Sequence, residues 1–408
     1  MLWDKDDLKK ADIVLLIAFS GLLVIGLLII YSATHGENLD INQNFSKQAV
    51  WILIGWLLLA LVTMLPFKVY HEMAFPAYIF SILLLIAVLF WGSGAGVKRW
   101  FAFGPFRFQP AEIAKIATLL FLAKYAADSK RNFKSFRDIA VAFAIVGLPT
   151  LLIMKQPDLG TALVFVAMVL PILFWAGLSL FTVFLLIAPI ITLASAFTFF
   201  SFFIAMVFII GVMVVSGRGP KVIIPNFILN IGVGIVTPIL WNQLHNYQKS
   251  RILTFIGLEQ DPRGLGYQVL QSKVAIGSGG MWGKGWMEGT QTQLRFLPEQ
   301  HTDFIFSVLG EEFGFLGVLI VLVLFFLLLW RALNIAQSSK NVFASLVVIG
   351  ASTIIAFHVI VNTGMTVGIM PVTGLPLPFL SYGGSSLLTS TLLVGLILNA
   401  GRRRFQYL

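Results

Sequence analysis

The sequence predicts an all-α, polytopic membrane protein, and three observations predict it. Hydrophobic residues make up 58% of the 408 and charged residues only 11%, whereas an ordinary soluble domain carries about 25% charged residues. The mean hydropathy is +0.91, so a water-soluble fold would leave too much apolar surface exposed. The apolar residues also gather in runs approaching the roughly 20 that a helix needs to cross about 30 Å of hydrocarbon, where backbone groups cannot go unpaired. A formal net charge of +10 then fits basic loops beside anionic lipid better than a nucleic acid partner. No cysteine is present, which excludes disulfides, thiolate chemistry and cysteine metal sites.

In chain order the candidate spans are 13–33, 49–66, 74–91, 111–127, 138–154, 159–176, 181–198, 200–215, 222–241, 304–330, 341–361 and 386–400. The direct reading is twelve, in a single transmembrane domain over 1–408, and ten to twelve once runs that merge between 181 and 215 are allowed for. The first run is too long for a signal-peptide core and no small-residue cleavage site follows, so it reads as a retained helix. Sidedness follows from Lys and Arg in the short loops. An N-terminus inside the cell places Lys5, Lys9, Lys10, Lys68, Lys130, Arg131, Lys134, Arg137, Arg218, Lys221, Arg331, Lys340 and Arg402–Arg404 in the cytoplasm. Both termini are then cytoplasmic.

Three outer connections differ from plain linkers. Residues 92–110 are rich in glycine and aromatics and carry Lys98, Arg99 and Arg107. Residues 242–303 form a long polar loop with Lys249, Arg251, Arg263, Lys273, Lys284 and Arg295. Residues 362–385 are rich in glycine and proline yet too apolar for a tether, and read as a re-entrant-like segment held against protein. Long translocated loops are largely exempt from the charge rule; alternatively these outer cations face an anionic group such as a phosphate.

Acids are scarce, and the densest cluster is Leu294–Ser307, LRFLPEQHTDFIFS, where Glu299, His301 and Asp303 meet the start of an apolar run. An Asp in that place is ordinarily a helix N-cap, although the third residue on is Phe306 and no capping box forms. It also suits a catalytic acid at the membrane boundary, and both readings stand. His301 reads as a partner, a lid residue or simply interfacial, with no metal-ligand spacing. Glu112 follows Pro110 at a helix start, with Lys115 on the same face. Asp158, in KQPDLG, reads as the cap of the next helix. All three acids fall on the outer side, where isolated charges are costly, which points to a polar cavity. The stretch GSGGMWGKG at 277–285 lacks the spacing and preceding strand of a phosphate loop, so no nucleotide site is expected, but its glycines could shape a loop that presents Lys284 to a polar substrate. Arg251 and Arg263 flank an interfacial stretch.

Five segments resemble one family, the SEDS proteins (shape, elongation, division and sporulation). They are KRWFAFGPFRFQPAEIAK at 98–115, KQPDLGTA at 155–162, YQKSRILTFIGLEQDPRGLGYQVLQSKVAIGSGGMWGKG at 247–285, GTQTQLRFLPEQHTDFIFSVLGEEFGF at 289–315 and NTGMTVGIMPVTGLPLPFLSYGGSS at 362–386. The last is more similar to the elongation-type than the division-type members. The resemblance implies a SEDS-type helix bundle in the cytoplasmic (inner) membrane and a peptidoglycan glycosyltransferase that polymerises lipid II on the outer face, with a class B penicillin-binding protein as transpeptidase and other elongation-complex proteins as partners. It implies that Asp303 is essential, because it matches the acid of the HTDFIF motif, and that Glu112 and Asp158 lie in or near a polar cavity. The chain departs from the pattern in one place. Between Gly177–Ser179 and Tyr247–Arg251 relatives usually place one helix, whereas this stretch has room for three crossings.

On that reading Asp303 is the general base on the acceptor hydroxyl, and the substrate and cavity residues are Glu112, Lys115, Asp158, Arg251, Lys284, Arg295 and His301. A divalent cation, Mg²⁺ or Mn²⁺, held partly by the substrate diphosphate would assist the leaving group, with no organic cofactor. The alternatives are a flippase for lipid-linked precursor and a non-catalytic scaffold.

Overall fold

The computed structural model describes residues 12–34, 41–93, 98–103, 106–128, 133, 135–217, 219–243, 249, 253, 265–294 and 296–405. The apolar runs form helices α1 (Ile13–Thr34), α2 (Ile41–Met64) and α3 (Phe67–Trp91), then a hairpin of β1 (Phe101–Phe103) and β2 (Phe106–Phe108). Helices α4 (Pro110–Ala127), α5 (Phe136–Met154), α6 (Leu159–Trp175), α7 (Leu180–Ser195), α8 (Phe199–Val215) and α9 (Pro220–Gln243) follow. The chain continues through α10 (Leu265–Gly279), the short α11 (Thr290–Gln293), α12 (Ile305–Ser338), α13 (Val342–Thr366) and α14 (Gly384–Arg402).

Each span read from the sequence falls on one of these helices. Among the described residues eight are long and apolar enough to cross a membrane: α1, Asn44–Met64 of α2, α3, α5, α9, α12, α13 and α14. Helices α6, α7 and α8 are shorter and apolar, and α4 sets Glu112, Lys115 and Lys124 in an apolar frame. Short polar side chains start the helices where the chain leaves a turn. Ser135, Asp158, Ser179, Thr198 and Asn341 accept from backbone N–H groups of the first turns of α5, α6, α7, α8 and α13.

Two compact units are present, Gly177–Glu259 and the rest of the chain. In the smaller, Ala188, Ile209 and Met213 pack with Phe181, Phe184, Leu185 and Ile223, and Thr192 donates to Asn230 Oδ1 at 2.7 Å in the interior. The larger is built round α13, which packs on α4, α6, α12 and α14 and is buried along most of its length. Helix α1 lies antiparallel to α12: Asp12, just before α1, pairs with Arg331 near the end of α12 at 2.9 Å, while Ser32 in the last turn of α1 donates to Glu312. Asp303 therefore stands at the end of this helix pair remote from Asp12.

Two features add detail to the sequence reading. The stretch 242–303 contains α10 and α11, and Ala275 and Ser272 of α10 are buried. The span read at 304–330 falls on α12, which is kinked near its start. Helix α12 breaks at Gly314 (φ 62°, ψ −160°), a conformation open essentially to glycine alone. The turn after α10 mends the break. Phe315 and Leu316 donate their N–H groups to the carbonyls of Gly280 and Met281 (2.9 and 3.2 Å), and Lys284 and Gly285 donate theirs to Glu311 and Glu312 (3.0 and 3.1 Å). Irregular backbone at membrane depth is tolerated where protein pairs it in this way. The glycines of 277–285 serve this splice: a Cβ on Gly279 would lie 2.0 Å from the carbonyl oxygen of Gly310, and one on Gly283 2.1 Å from that of Glu312.

Candidate active site

Asp303 sits in the turn 299–304 that opens α12. Glu299 adopts φ +54°, and its carbonyl accepts from the N–H groups of Thr302 and Phe304 at 3.2 and 3.3 Å. The N-cap position belongs to Phe304, whose side chain makes no cap, so Asp303 stands one residue outside the helix and is not the N-cap that its place before an apolar run suggests. Under the turn, Phe304 packs with Leu297, Met365, Val372 and Val269, which fixes the backbone on an apolar floor.

The segment between α13 and α14 holds the turn from the other side. Together with the last turns of α13 it anchors three consecutive carbonyls: His301 O accepts from Tyr382 N (2.9 Å), Thr302 O from Ser381 Oγ (2.6 Å) and Asp303 O from Asn362 Nδ2 of α13 (2.9 Å). The same Asn362 amide donates to Leu375 O at 2.8 Å. Between these anchors Gly374 (φ +75°) faces the carboxylate, and a Cβ there would lie 3.4 Å from Asp303 Oδ2. The His301 ring lies 5.8 Å from that of Tyr382, and burial pushes the Tyr382 phenol above its ordinary range.

This segment also reaches the helix that Asp158 caps. Gly160, in the first turn of α6, comes so close to Thr373 and Leu375 that a Cβ would lie 2.7 Å from Thr373 O. Asp158 caps that turn, accepting from Thr161 N (3.2 Å) and from Gln109 Nε2 (3.2 Å). Arg99 Nη1 lies 4.0 Å from Asp158 Oδ2, and its guanidinium donates to the carbonyls of Gln156 and Pro157. Glu112 and Lys115 form the pair their spacing predicts, 2.8 Å apart and both buried, leaving Glu112 Oε2 without a partner among the described residues. His358 of α13 lies 3.1 Å from Pro376 O. Segment 372–382 is thus a shared wall, touching the Asp303 turn, the Asp158 helix and the helix of His358.

Lys284 belongs to a different cluster, two turns further along α12. Its ammonium lies 2.8 Å from Glu311 Oε1 and 2.7 Å from Thr290 Oγ1. Glu311 is fully buried and also accepts from Gln291 N, Thr292 N and Thr292 Oγ1 at 2.8, 3.0 and 2.8 Å, so the lysine neutralises a buried acid that organises α11. Arg251 and Arg295 lie outside the described residues. The sequence reading passed over Asn362, Ser381, Glu311 and Glu312. Two adjacent acids inside an apolar run were the available signal for the last pair; nothing marked the first two.

Among the described residues no three His, Asp or Glu side chains gather to hold a metal ion. A divalent cation can still be held by one or two carboxylates together with substrate phosphates, a mode that needs no all-protein cage.

These features define a polytopic membrane protein whose polar, partly buried acid site is built at one end of a helix bundle. The family model of the FtsW, RodA and SpoVE cell cycle proteins matches residues 13–206 and 200–406, two stretches that meet within α8. The chain is 37% identical over 404 residues to the peptidoglycan glycosyltransferase MrdB of Escherichia coli (strain K12), covering 98% of this chain and 95% of the relative. It is 34% identical to the peptidoglycan glycosyltransferase RodA of Treponema pallidum (strain Nichols), covering 96% and 98%. In structure it is similar, at a TM-score of 0.74 and 31% identity with 97% and 99% covered, to a chain from work on the structural coordination of polymerization and crosslinking by a peptidoglycan synthase complex. It is also similar to the rod shape determining protein RodA of Thermus thermophilus, at 0.64 and 27% with 97% and 98% covered. The chain belongs to this SEDS family of peptidoglycan glycosyltransferases.

Proposed function

We propose that this glycosyltransferase joins lipid II units into β-1,4 glycan strands during cell elongation, with Asp303 as general base. The observation that carries the assignment is the construction of the Asp303 turn: three successive carbonyls are anchored by α13 and the segment that follows it, so Asp303 stands on a fixed backbone frame at the end of the bundle. The Asp303 carboxylate takes the proton of the acceptor 4-hydroxyl as that oxygen bonds to the donor anomeric carbon. The bond from that carbon to the polyprenyl diphosphate breaks in the same displacement, the electron pair leaves on the diphosphate, and an α-linked donor gives a β-linked product. A diphosphate leaving group needs charge neutralisation more than protonation, unlike the leaving group of a glycosidase. Mg²⁺ or Mn²⁺, held partly by the substrate diphosphate, would supply that neutralisation when bound.

The Lys and Arg distribution places both termini in the cytoplasm. Because α1 and α12 are antiparallel with Asp12 at the far end, Asp303 then faces the outer side of the inner membrane, where lipid II is used. A class B penicillin-binding protein supplying the transpeptidase, together with elongation-complex proteins, is the partner set that fits this placement. The decisive measurement is glycan formation by the purified chain, with and without divalent cation and transpeptidase partner. Asp303→Asn is expected to abolish polymerisation while the protein still folds and binds lipid II. Normal turnover by that variant refutes the base assignment, and a wild-type protein that translocates lipid II without forming glycan favours the flippase reading.

A further inference from the structure

We propose that Asn362 and Ser381 are positioning residues that fix the backbone from which the Asp303 carboxylate reaches; the inference rests on Asp303 being the base. Asn362 is fully buried near the end of α13. Its side-chain amide donates twice, to Asp303 O (2.9 Å) and to Leu375 O (2.8 Å), while its Oδ1 is buried without a partner among the described residues. A flipped amide would set that oxygen against two carbonyl oxygens, so the acceptors fix its orientation. An acceptor left unsatisfied in the interior is costly. This side chain keeps its donors on the Asp303 turn nonetheless.

The two acceptors lie on opposite sides of the site. One is the backbone of Asp303; the other is Leu375, next to Gly374, whose Cα region approaches the Asp303 carboxylate. Asn362 therefore sets the spacing between the acid and the wall it faces. Ser381 performs the matching task one residue earlier. Its hydroxyl donates to Thr302 O at 2.6 Å and accepts from Leu377 N at 2.8 Å, tying the turn to the wall at a second point. With both ties in place the peptide between Thr302 and Asp303 and the one after it are held, which fixes the point from which the Asp303 carboxylate reaches into the site. A reacting group displaced by about 1 Å loses roughly 10²-fold in rate.

The test compares Asn362→Leu, which keeps bulk and removes both donors, and Ser381→Ala, which removes one oxygen, with Asp303→Asn and a matched control. The control is Asn399→Leu. Asn399 is likewise fully buried and donates to two carbonyls, Val62 O and Leu65 O, both at 2.7 Å, in α2 and just beyond it. Purified full-length proteins are assayed for kcat and KM on lipid II and for thermal midpoint. Positioning predicts that kcat falls roughly 10²-fold in Asn362→Leu and Ser381→Ala, with KM within about twofold, while Asn399→Leu keeps wild-type kcat whatever its midpoint. Wild-type kcat in Asn362→Leu and Ser381→Ala beside an inactive Asp303→Asn overturns the positioning role alone. So does an equal loss of kcat in Asn399→Leu, which would mark a general loss of packing. An active Asp303→Asn overturns the base assignment and the positioning role together. If Asn362→Leu does not fold, Ser381→Ala decides.

Discussion

Glu311 carries a heavier structural load than its ion-pair partner, and the two substitutions should show it. The carboxylate is fully buried and accepts from Lys284 Nζ, Gln291 N, Thr292 N and Thr292 Oγ1 at 2.8, 2.8, 3.0 and 2.8 Å, with Thr290 Oγ1 at 3.3 Å. Glu311→Ala strands all of these donors at once; deleting one partner of a buried ion pair costs about 3–5 kcal/mol. Glu311→Gln keeps the volume but turns one oxygen into a donor facing N–H and O–H groups. It should cost about 2 kcal/mol, in the range for an unsatisfied buried polar group. Lys284→Met leaves the carboxylate two hydroxyl and two backbone N–H partners. The lysine side chain is 25% exposed, so solvent can take over part of its role beside the carboxylate, and its removal should cost about 1–2 kcal/mol, less than Glu311→Ala. The assay is the thermal midpoint in detergent together with amide hydrogen exchange at Gln291 and Thr292. Those amides should exchange markedly faster in Glu311→Gln and almost normally in Lys284→Met. Unchanged exchange in Glu311→Gln, or a larger loss in Lys284→Met than in either Glu311 variant, refutes the reasoning.

Two further outcomes follow from the same geometry. Gly314→Ala should cost about 1–3 kcal/mol from backbone strain alone, and more once its methyl meets Gly283 N at 2.3 Å; an unchanged thermal midpoint would show that the break in α12 is not built as described. Lys273 is exposed on α10, with its Nζ 2.5 Å from where a side chain on Gly368 would begin. Lys273→Met should raise KM for lipid II about tenfold, the value of one charge-assisted hydrogen bond, with kcat kept, and an unaltered KM removes the lysine from the binding surface.

The helices were legible because run length in an apolar chain is set by membrane thickness, a constraint that every span obeys separately. Local chemistry was legible too. Asp158 caps α6 as its place after a proline suggests, and Glu112 meets Lys115 because three residues make one turn. The break at Gly314 was not, since a glycine within an apolar run reads as a tolerated small residue; only the returning turn at 280–285 reveals that α12 exchanges backbone bonds there. Asp303 could be found as an acid where polar chain meets apolar chain. Its frame could not, because Asn362 and Ser381 act on carbonyls some sixty to eighty positions away, and neither periodicity nor composition records such a pairing.

The cations around the site redraw the electrostatic picture that the sequence invited. A row of outer Lys and Arg residues suggests a surface prepared for phosphate, yet the fold already pairs many of them. Lys98 donates to Phe90 O, Arg99 to the carbonyls of Gln156 and Pro157, Lys115 to Glu112 and Lys284 to Glu311. Apart from the exposed Lys98 bond, each of these satisfies a backbone or side-chain oxygen that would otherwise be stranded in a poorly solvated region. Moving any of them to a substrate would uncover that oxygen, so they are poor ligands for a group that must bind and leave in every cycle. Arg107 and Lys273 are different: both are exposed, and no described residue holds their charged groups. Two surface cations neutralise a departing diphosphate only in part. Under the proposed mechanism a divalent cation arriving with the substrate would make up that shortfall, so chelation is expected to stop glycan formation by the purified protein.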